Sequence, residues 1–200
     1  MKKFLAMLLT TFCILGLTAC GGNNNSTPSA TATKTASAAP AENSLAGKKV
    51  LVAYFSYSGQ TERVAKDIQA KTKGDLFKIE TITPYPSAYR QCTEVAKAEK
   101  EQNVHPPIKG KVDNIKDYDV VFLGFPIWWH DAPMAIYTFI EQNNLSGKTV
   151  ISFCTSGGSP IGESTPGLAK ALSNAKFSEG LLLYSTDTDG TEKWLSKYGF

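Results

Sequence analysis

A hydroxyl-rich segment at residues 56–61 carries groups suited to binding an anion. It follows the apolar run 50–55 and precedes a stretch with helical spacing of apolar residues. A strand that turns tightly into a helix directs free backbone N–H groups at one point, and the helix dipole adds about half a positive charge there. Ser56, Ser58 and Thr61 add hydroxyl donors, and Gly59 allows close approach of the backbone. The segment therefore predicts a phosphate site.

Residue types and motifs that are absent from this segment indicate which kind of phosphate it would bind. It contains no Lys or Arg, and the sequence shows neither G-x-x-x-x-G-K-[ST] nor G-x-G-x-x-G. A triphosphate and a dinucleotide pyrophosphate are therefore not indicated, and a phosphate monoester is favoured. The alternative is an ordinary strand–helix turn capped by a serine or threonine.

Two further loops supply different chemistry. Residues 125–131 include Trp128 and Trp129, and large aromatic side chains on a loop often form an interface or a stacking platform. One of the two tryptophans could instead fold back as core. Residues 155–160 offer hydroxyls and the backbone N–H groups of Gly157 and Gly158, which suit a planar polar edge. A phosphate, a flat ring and a polar edge together predict bound FMN.

The elements that must position these loops alternate in type along the chain. Apolar runs near 50–55, 75–80, 119–124, 148–154 and 181–184 predict five strands, and helical patterns follow each of them. This alternation predicts a doubly wound parallel α/β sheet with helices on both faces. Ligands of such sheets bind beyond the carboxyl ends of the strands, where all three loops would gather. For the helix predicted at 87–102, the expected buried face is Ala88, Tyr89, Cys92, Val95 and Ala96.

The start of the chain predicts export rather than fold. Residues 1–19 have a Lys-Lys start and an apolar stretch too short to span a membrane, which is typical of a signal peptide. Leu17-Thr-Ala-Cys20 resembles a bacterial lipobox, which implies cleavage before Cys20 and acylation of Cys20. A plain signal peptide or an uncleaved anchor is the alternative. Residues 20–46 contain almost no large apolar side chain and predict a disordered tether to a domain at 47–200. The predicted localisation is the bacterial cell envelope, where the lipid on Cys20 would anchor the protein to the membrane.

Composition excludes several other classes. The chain has 200 residues and a formal charge of +3, with no basic stripe, so nucleic-acid binding is not indicated. Its two histidines are far apart and no Cys-x-x-Cys occurs, so a metal site lacks ligands. Cys92 and Cys154 are predicted to be free, buried thiols. No Ser/His/Asp or Cys/His arrangement suggests a nucleophilic enzyme.

The three loops resemble those of the flavodoxin family. The phosphate loop is matched by Ser56-x-Ser-Gly-x-Thr61, the ring-contacting loop by Gly124-Phe-Pro-Ile-Trp-Trp129, and the third by Cys154-Thr-Ser-Gly-Gly-Ser159. Thr83-Pro-Tyr-Pro86 is similar to short-chain members of this family. The resemblance implies sheet order 2-1-3-4-5, bound FMN and electron transfer. Carried over position by position, it implies cofactor binding by Ser56, Tyr57, Ser58, Gly59, Gln60, Thr61, Pro126, Ile127, Trp128, Trp129, Thr155, Ser156, Gly157 and Gly158.

The expected function is therefore that of a membrane-anchored FMN protein in electron transfer or oxidoreduction. Its partner would be a redox protein or a small-molecule electron acceptor. The Trp-Trp loop also resembles that of FMN-dependent NAD(P)H:quinone reductases, so a quinone or nitro/azo reductase is the alternative. A flavin-free binding module is the alternative of another class. His130 is a candidate proton donor near the flavin.

Overall fold

The computed structural model describes residues 44–184, 187 and 190–200. The predicted signal peptide, Cys20 and most of the predicted tether lie outside these residues. One parallel sheet has the order β2-β1-β3-β4-β5, so the predicted fold class is confirmed. Its strands are β1 (Val50–Tyr54), β2 (Asp75–Lys78), β3 (Val120–Pro126), β4 (Thr149–Ser156) and β5 (Lys176–Tyr184). The α-helices are α1 (Gln60–Thr72), α2 (Tyr89–Glu101), α3 (Met134–Gln142), α4 (Thr165–Ala171) and α5 (Thr191–Leu195).

Side chains of the sheet alternate between two apolar cores. On one face, Leu51 and Ala53 of β1 lie in a cluster with Phe139 of α3 and Leu168 of α4. On the other face, Val52 lies in a cluster with residues of α1 and α5, such as those at positions 64, 68 and 194. Because both faces are covered, every residue of β1 is buried, as expected for a central parallel strand. Each fully buried aliphatic or Phe side chain contributes about 1.5–3 kcal/mol relative to exposure.

Helix α2 does not bury the face that its sequence predicts. Only Cys92 and Ala96 of the predicted set are buried, whereas Tyr89 is 78% exposed and Val95 39% exposed. Ala88 is also exposed and precedes the helix, which begins at Tyr89. These side chains are less buried than predicted because α2 follows the edge strand β2 and packs against α3 beside the sheet.

The edge strands depart from the predicted bounds. Strand β2 ends at Lys78, and β5 begins at Lys176 rather than near Leu181. The extra half of β5 was not predicted because Lys176, Ser178 and Glu179 are polar and exposed, so it lacks an apolar run. Its pairing with β4 is also irregular between Ile151 and Phe153, where the two strands come close. Gly180 permits this approach, since a Cβ there would lie 2.0 Å from the Ser152 carbonyl oxygen.

Cys92 and Cys154 are free and buried, as predicted. Within the described part of the chain, no helix is both long and apolar enough to cross a membrane.

Candidate functional site

A cavity of about 450 Å³ lies beyond the carboxyl ends of β1, β3 and β4. Residues from all three predicted loops line it, as the sheet order requires. The predicted binding residues that line it are Tyr57, Ser58, Gln60, Pro126, Ile127, Trp128, Trp129, Thr155, Ser156 and Gly157. His130 lines it as well. Ser56, Gly59, Thr61 and Gly158 are in the same loops but do not line the cavity.

In the first loop, two of the predicted hydroxyls serve the protein itself. The Ser56 hydroxyl oxygen accepts hydrogen bonds from the backbone N–H groups of Gly59 and Glu62, both at 3.2 Å. The Thr61 hydroxyl is buried and lies 2.8 Å from that of Thr155. The backbone N–H of Gln60 and that of Thr61 lie in the first helical turn and have no intrahelical acceptor. These N–H groups are therefore the donors left for an anion.

The second loop contains a tight turn with an uncommon backbone. The N–H of Trp128 donates to the carbonyl of Asp131 and the N–H of Asp131 donates back, both at 2.9 Å. Between them, Trp129 has φ +49° and His130 has φ +61°. Two consecutive left-handed residues match the hairpin-type turn that normally uses Asn or Gly. The conformation costs about 1–2 kcal/mol for each residue with a bulky side chain.

The two adjacent tryptophans have different environments. The Trp128 ring meets three other rings edge-on, with centroid distances of 5.3 Å to Phe55, 5.7 Å to Tyr57 and 5.2 Å to Tyr85. Trp129 is 44% exposed, and its indole N–H donates to the Thr93 carbonyl at 2.9 Å. Trp128 therefore forms a wall of the cavity that is continuous with the core, and Trp129 forms its open edge.

A lysine of α2 holds the strained turn. The Lys100 ammonium donates to the carbonyl of Trp129 and lies 3.6 Å from the Asp131 carboxylate. The other oxygen of Asp131 accepts hydrogen bonds from the N–H of Ala132 and from the Tyr137 hydroxyl, both at 2.8 Å. Burial raises the pKa of Tyr137, and its bond to Asp131 raises it further, so the phenol remains a donor.

The third loop is connected to both of the others. The Thr155 carbonyl accepts a hydrogen bond from the N–H of Ile127 at 2.9 Å, while its side chain meets Thr61. The Ser156 hydroxyl accepts a bond from the N–H of Gly158 at 3.0 Å. A Cβ added at Gly157 would meet nothing within 4 Å, so this glycine borders open space in the cavity.

Several cavity residues were not predicted from the sequence. Arg63 lies three residues after Gln60 on α1 and therefore on the same helix face. Positions 89, 92, 93 and 96 have helical spacing and form a stripe of α2 along the cavity. Three of them, at 89, 92 and 96, belong to the face that was predicted to be buried in the core. Ser159 also lines the cavity and lies in the predicted third loop, although it was not among the predicted binding residues. No sequence pattern distinguishes the remaining lining residues, Leu183 and Tyr184, from their neighbours.

Charge in the cavity is sparse. Among the described residues that line it, Arg63 is the only lysine, arginine, aspartate or glutamate. Burial raises the pKa of the Cys92 thiol, which favours its protonated form. The His130 imidazole is paired through Nδ1 with the Glu163 carboxylate rather than directed only into the cavity. No cluster of potential metal ligands occurs in the part of the chain that the structure describes.

Together, the five-stranded sheet and its cavity define a flavodoxin-like α/β domain. The profile of the family described as Flavodoxin matches residues 49–198, and the chain belongs to that family. No curated protein matches the chain.

Solved structures show the same architecture. A protein of Bacteroides eggerthii provisionally described as a flavoprotein is 43% identical, with a TM-score of 0.69 over 76% of this chain and 99% of its own. A similarly described protein of Bacteroides uniformis is 32% identical, with a TM-score of 0.69 over 75% and 99%. A Lactobacillus acidophilus flavoprotein, crystallised in complex with FMN, is 22% identical, with a TM-score of 0.61 over 74% and 98%. At that identity, the last comparison shows the fold alone.

Replacing His130 with glycine is expected to stabilise the domain by about 0.5–1 kcal/mol, because glycine adopts positive φ without a Cβ penalty. The half-exposed pair with Glu163 contributes little in return. Urea unfolding measures the change. His130→Ala is the matched control, since it removes the imidazole but keeps the strained Cβ. Equal stabilities of the two variants would contradict a role for backbone strain.

Replacing Glu99 with glutamine is expected to reduce the pH dependence of stability. The Tyr85 hydroxyl donates to the Glu99 carboxylate at 2.6 Å. Burial raises the pKa of Glu99, and the bond from Tyr85 lowers it in part. The folded state therefore holds this proton to higher pH than the unfolded chain, and stability falls as pH rises from the ordinary glutamate pKa through the raised one.

The Glu99→Gln variant should consequently gain stability relative to the parent between pH 4 and 7, by less than about 1 kcal/mol because the group is partly solvated. Urea midpoints across this range test the sign. Glu94→Gln, on the exposed side of α2, is the control and should show no such trend. A gain for Glu99→Gln that is larger at pH 4 than at pH 7 would contradict the assignment.

Proposed function

We propose that the cavity binds FMN and that this chain acts in electron transfer or oxidoreduction. FMN, when bound, supplies the redox chemistry, and the protein supplies binding, orientation and electrostatics. The observation that carries the proposal is that three loops with different donor chemistry border one cavity. Its volume of about 450 Å³ lies within the usual range of small-molecule sites.

The residues present fit the parts of FMN. The free N–H groups at the start of α1, with Ser58 and Arg63 close by, suit a phosphate monoester. The second loop, from Pro126 to Trp129, offers apolar and aromatic surface for a flat ring. The segment 155–157 offers hydroxyls and backbone N–H groups for the ring's polar edge. The FMN complex of the L. acidophilus protein, which shares the fold, is consistent with this assignment.

An absorption spectrum of the purified full chain, with and without added FMN, tests the proposal. Bound flavin bands and quenched flavin fluorescence are expected. The Gly157→Leu variant should lose binding because its side chain would enter open cavity space. Gly162→Leu is the matched control, since Gly162 lies outside the cavity lining and a Cβ there meets only Glu179 at 3.9 Å. A colourless protein that ignores FMN would instead favour the flavin-free binding module.

A second candidate is two-electron reduction of a quinone, nitro or azo compound by NAD(P)H. Aromatic side chains at the cavity favour it, because Tyr89, Trp129 and Tyr184 line the cavity yet remain 78%, 44% and 40% exposed. Such a mouth suits a flat second molecule. Stopped-flow mixing of the FMN-loaded chain with NAD(P)H distinguishes the candidates. Rapid bleaching, followed by recovery on adding a quinone, supports the reductase. Bleaching only with a one-electron photoreductant supports the carrier.

We also propose that the protein is exported and held at the membrane through lipid on Cys20. The support is the lipobox-like Leu17-Thr-Ala-Cys20 and the apolar stretch before it. Growth with an alkyne-labelled fatty acid tests this in the full chain. Cys20→Ser should lose both the label and the membrane association. Cys13→Ser, in the predicted leader, is the control and should retain both. Labelling that persists in Cys20→Ser would contradict the anchor.

A further inference from the structure

We infer that Arg63 determines specificity in this cavity, by making it select a ligand with a phosphate dianion over the same ligand without phosphate. The inference rests on the proposed function and deepens it. Residues 56–61 contain neither Lys nor Arg, so the first loop alone offers no cation to a phosphate.

The position of Arg63 carries the first step. Gln60 and Arg63 are three residues apart on α1, which places them on the same helix face, and both line the cavity. Gln60 is also the first residue of the helix, where N–H groups lack intrahelical acceptors. Arg63 therefore borders the cavity on the helix face that begins with the free backbone donors.

The orientation of the side chain carries the second step. One terminal nitrogen, Nη2, donates to the carbonyl of Asp187 at 3.2 Å. The other, Nη1, lies 3.8 Å from the Asp67 carboxylate, beyond hydrogen-bond distance. A guanidinium has five N–H donors, so one firm bond to a carbonyl leaves most of them for an anion.

The ion pair within α1 contributes too little to account for an arginine at position 63. Its pair with Asp67 is an i,i+4 surface contact in which the side chains are 44% and 51% exposed. Such pairs contribute little to stability. In contrast, Arg63 is the only formally charged side chain among the described residues that line the cavity. A lone positive charge in a mostly neutral cavity complements an anionic ligand, and a planar guanidinium can bind two phosphate oxygens at once.

The experiment measures binding of FMN and of riboflavin to the flavin-free full chain by quenching of flavin fluorescence. The parent should bind FMN more tightly than riboflavin. Arg63→Gln should weaken FMN binding about tenfold and leave riboflavin binding unchanged, because a charge-assisted hydrogen bond is lost only with the phosphate. Arg63→Lys should restore part of the difference, since it keeps the charge and loses the planar fork.

Lys66→Gln is the matched control. It lies three residues further along α1, removes the same charge and pairs with Glu62 outside the cavity lining. It should leave both affinities unchanged. Equal weakening of FMN binding by Lys66→Gln and Arg63→Gln would overturn the inference in favour of a general charge effect. An unchanged FMN-to-riboflavin ratio in Arg63→Gln would overturn it directly. Failure of the parent to bind either flavin would instead overturn the proposed function.

Inorganic phosphate provides an independent probe. It should compete with FMN for the parent protein and have no effect on riboflavin binding. In Arg63→Gln, the inhibition constant of phosphate, corrected for the weaker binding of FMN, should rise about tenfold. Equal inhibition constants in the parent and the variant would contradict a contact between Arg63 and the phosphate.

Discussion

Replacing Gly124 with alanine is expected to destabilise the domain by about 2–3 kcal/mol, the upper part of the range of about 1–3 kcal/mol that is typical of an overpacked core. Gly124 lies in β3, just before the second cavity loop, and a Cβ there would lie 2.1 Å from the tip of the Phe153 ring. Phe153 is fully buried in β4, so neither the ring nor the paired strands can move freely. Urea unfolding of the purified chain measures the loss.

Phe153 also provides the control for this expectation. Shortening it should relieve the clash, so Gly124→Ala with Phe153→Leu should be less destabilised than the sum of the two single changes. Gly157→Ala is a second control, because a Cβ there meets nothing within 4 Å, and its stability should match the parent. Additive losses in the double variant would show that the ring is not the obstacle.

Replacing Trp128 with alanine is expected to cost about 2–4 kcal/mol, whereas the same change at Trp129 should cost less than about 1 kcal/mol. Trp128 packs edge-on against three aromatic rings, and its removal leaves a void beside Phe55, which is buried. Trp129 is 44% exposed and makes one side-chain hydrogen bond, to the Thr93 carbonyl. Chemical unfolding of the flavin-free chain separates these effects from ligand binding.

Trp129 should matter more for flavin binding than it does for stability. Trp129→Ala removes aromatic surface at the open edge of the cavity, so FMN affinity should fall about tenfold with little change in stability. Trp128→Phe keeps a ring against Phe55 and should recover most of the stability lost in Trp128→Ala. Equal unfolding costs for the two alanine variants would contradict the distinction between wall and edge.

The sheet could be predicted from the sequence because burial on both faces leaves a continuous apolar run. Val50–Tyr54 and Val120–Pro126 are such runs, and their parallel order brings the following loops to one edge. The buried face of helix α2 was harder to predict, because its amphipathic stripe faces a cavity rather than a core. Periodicity shows that positions 89, 92 and 96 share a face, but not what that face meets.

The hydrogen-bond partners and backbone conformations of the loops could not be predicted from the sequence either. A hydroxyl beside a helix start can bind a ligand or the backbone, and only the folded chain shows Ser56 bound to its own loop. Residue type likewise gave no indication that Trp129 and His130 adopt positive φ, because this conformation normally favours glycine or asparagine. Arg63 was not predicted as a site residue because it lies outside residues 56–61, although it shares a helix face with Gln60.

Thr155 connects the three loops that border the cavity. Its hydroxyl meets Thr61 and its carbonyl accepts the N–H of Ile127, so one residue of β4 joins all three loops without any ligand. Because these contacts are within the protein, we expect the cavity to be preformed before flavin binds. Binding should then require little ordering of the chain, and most of the contact energy should appear as affinity.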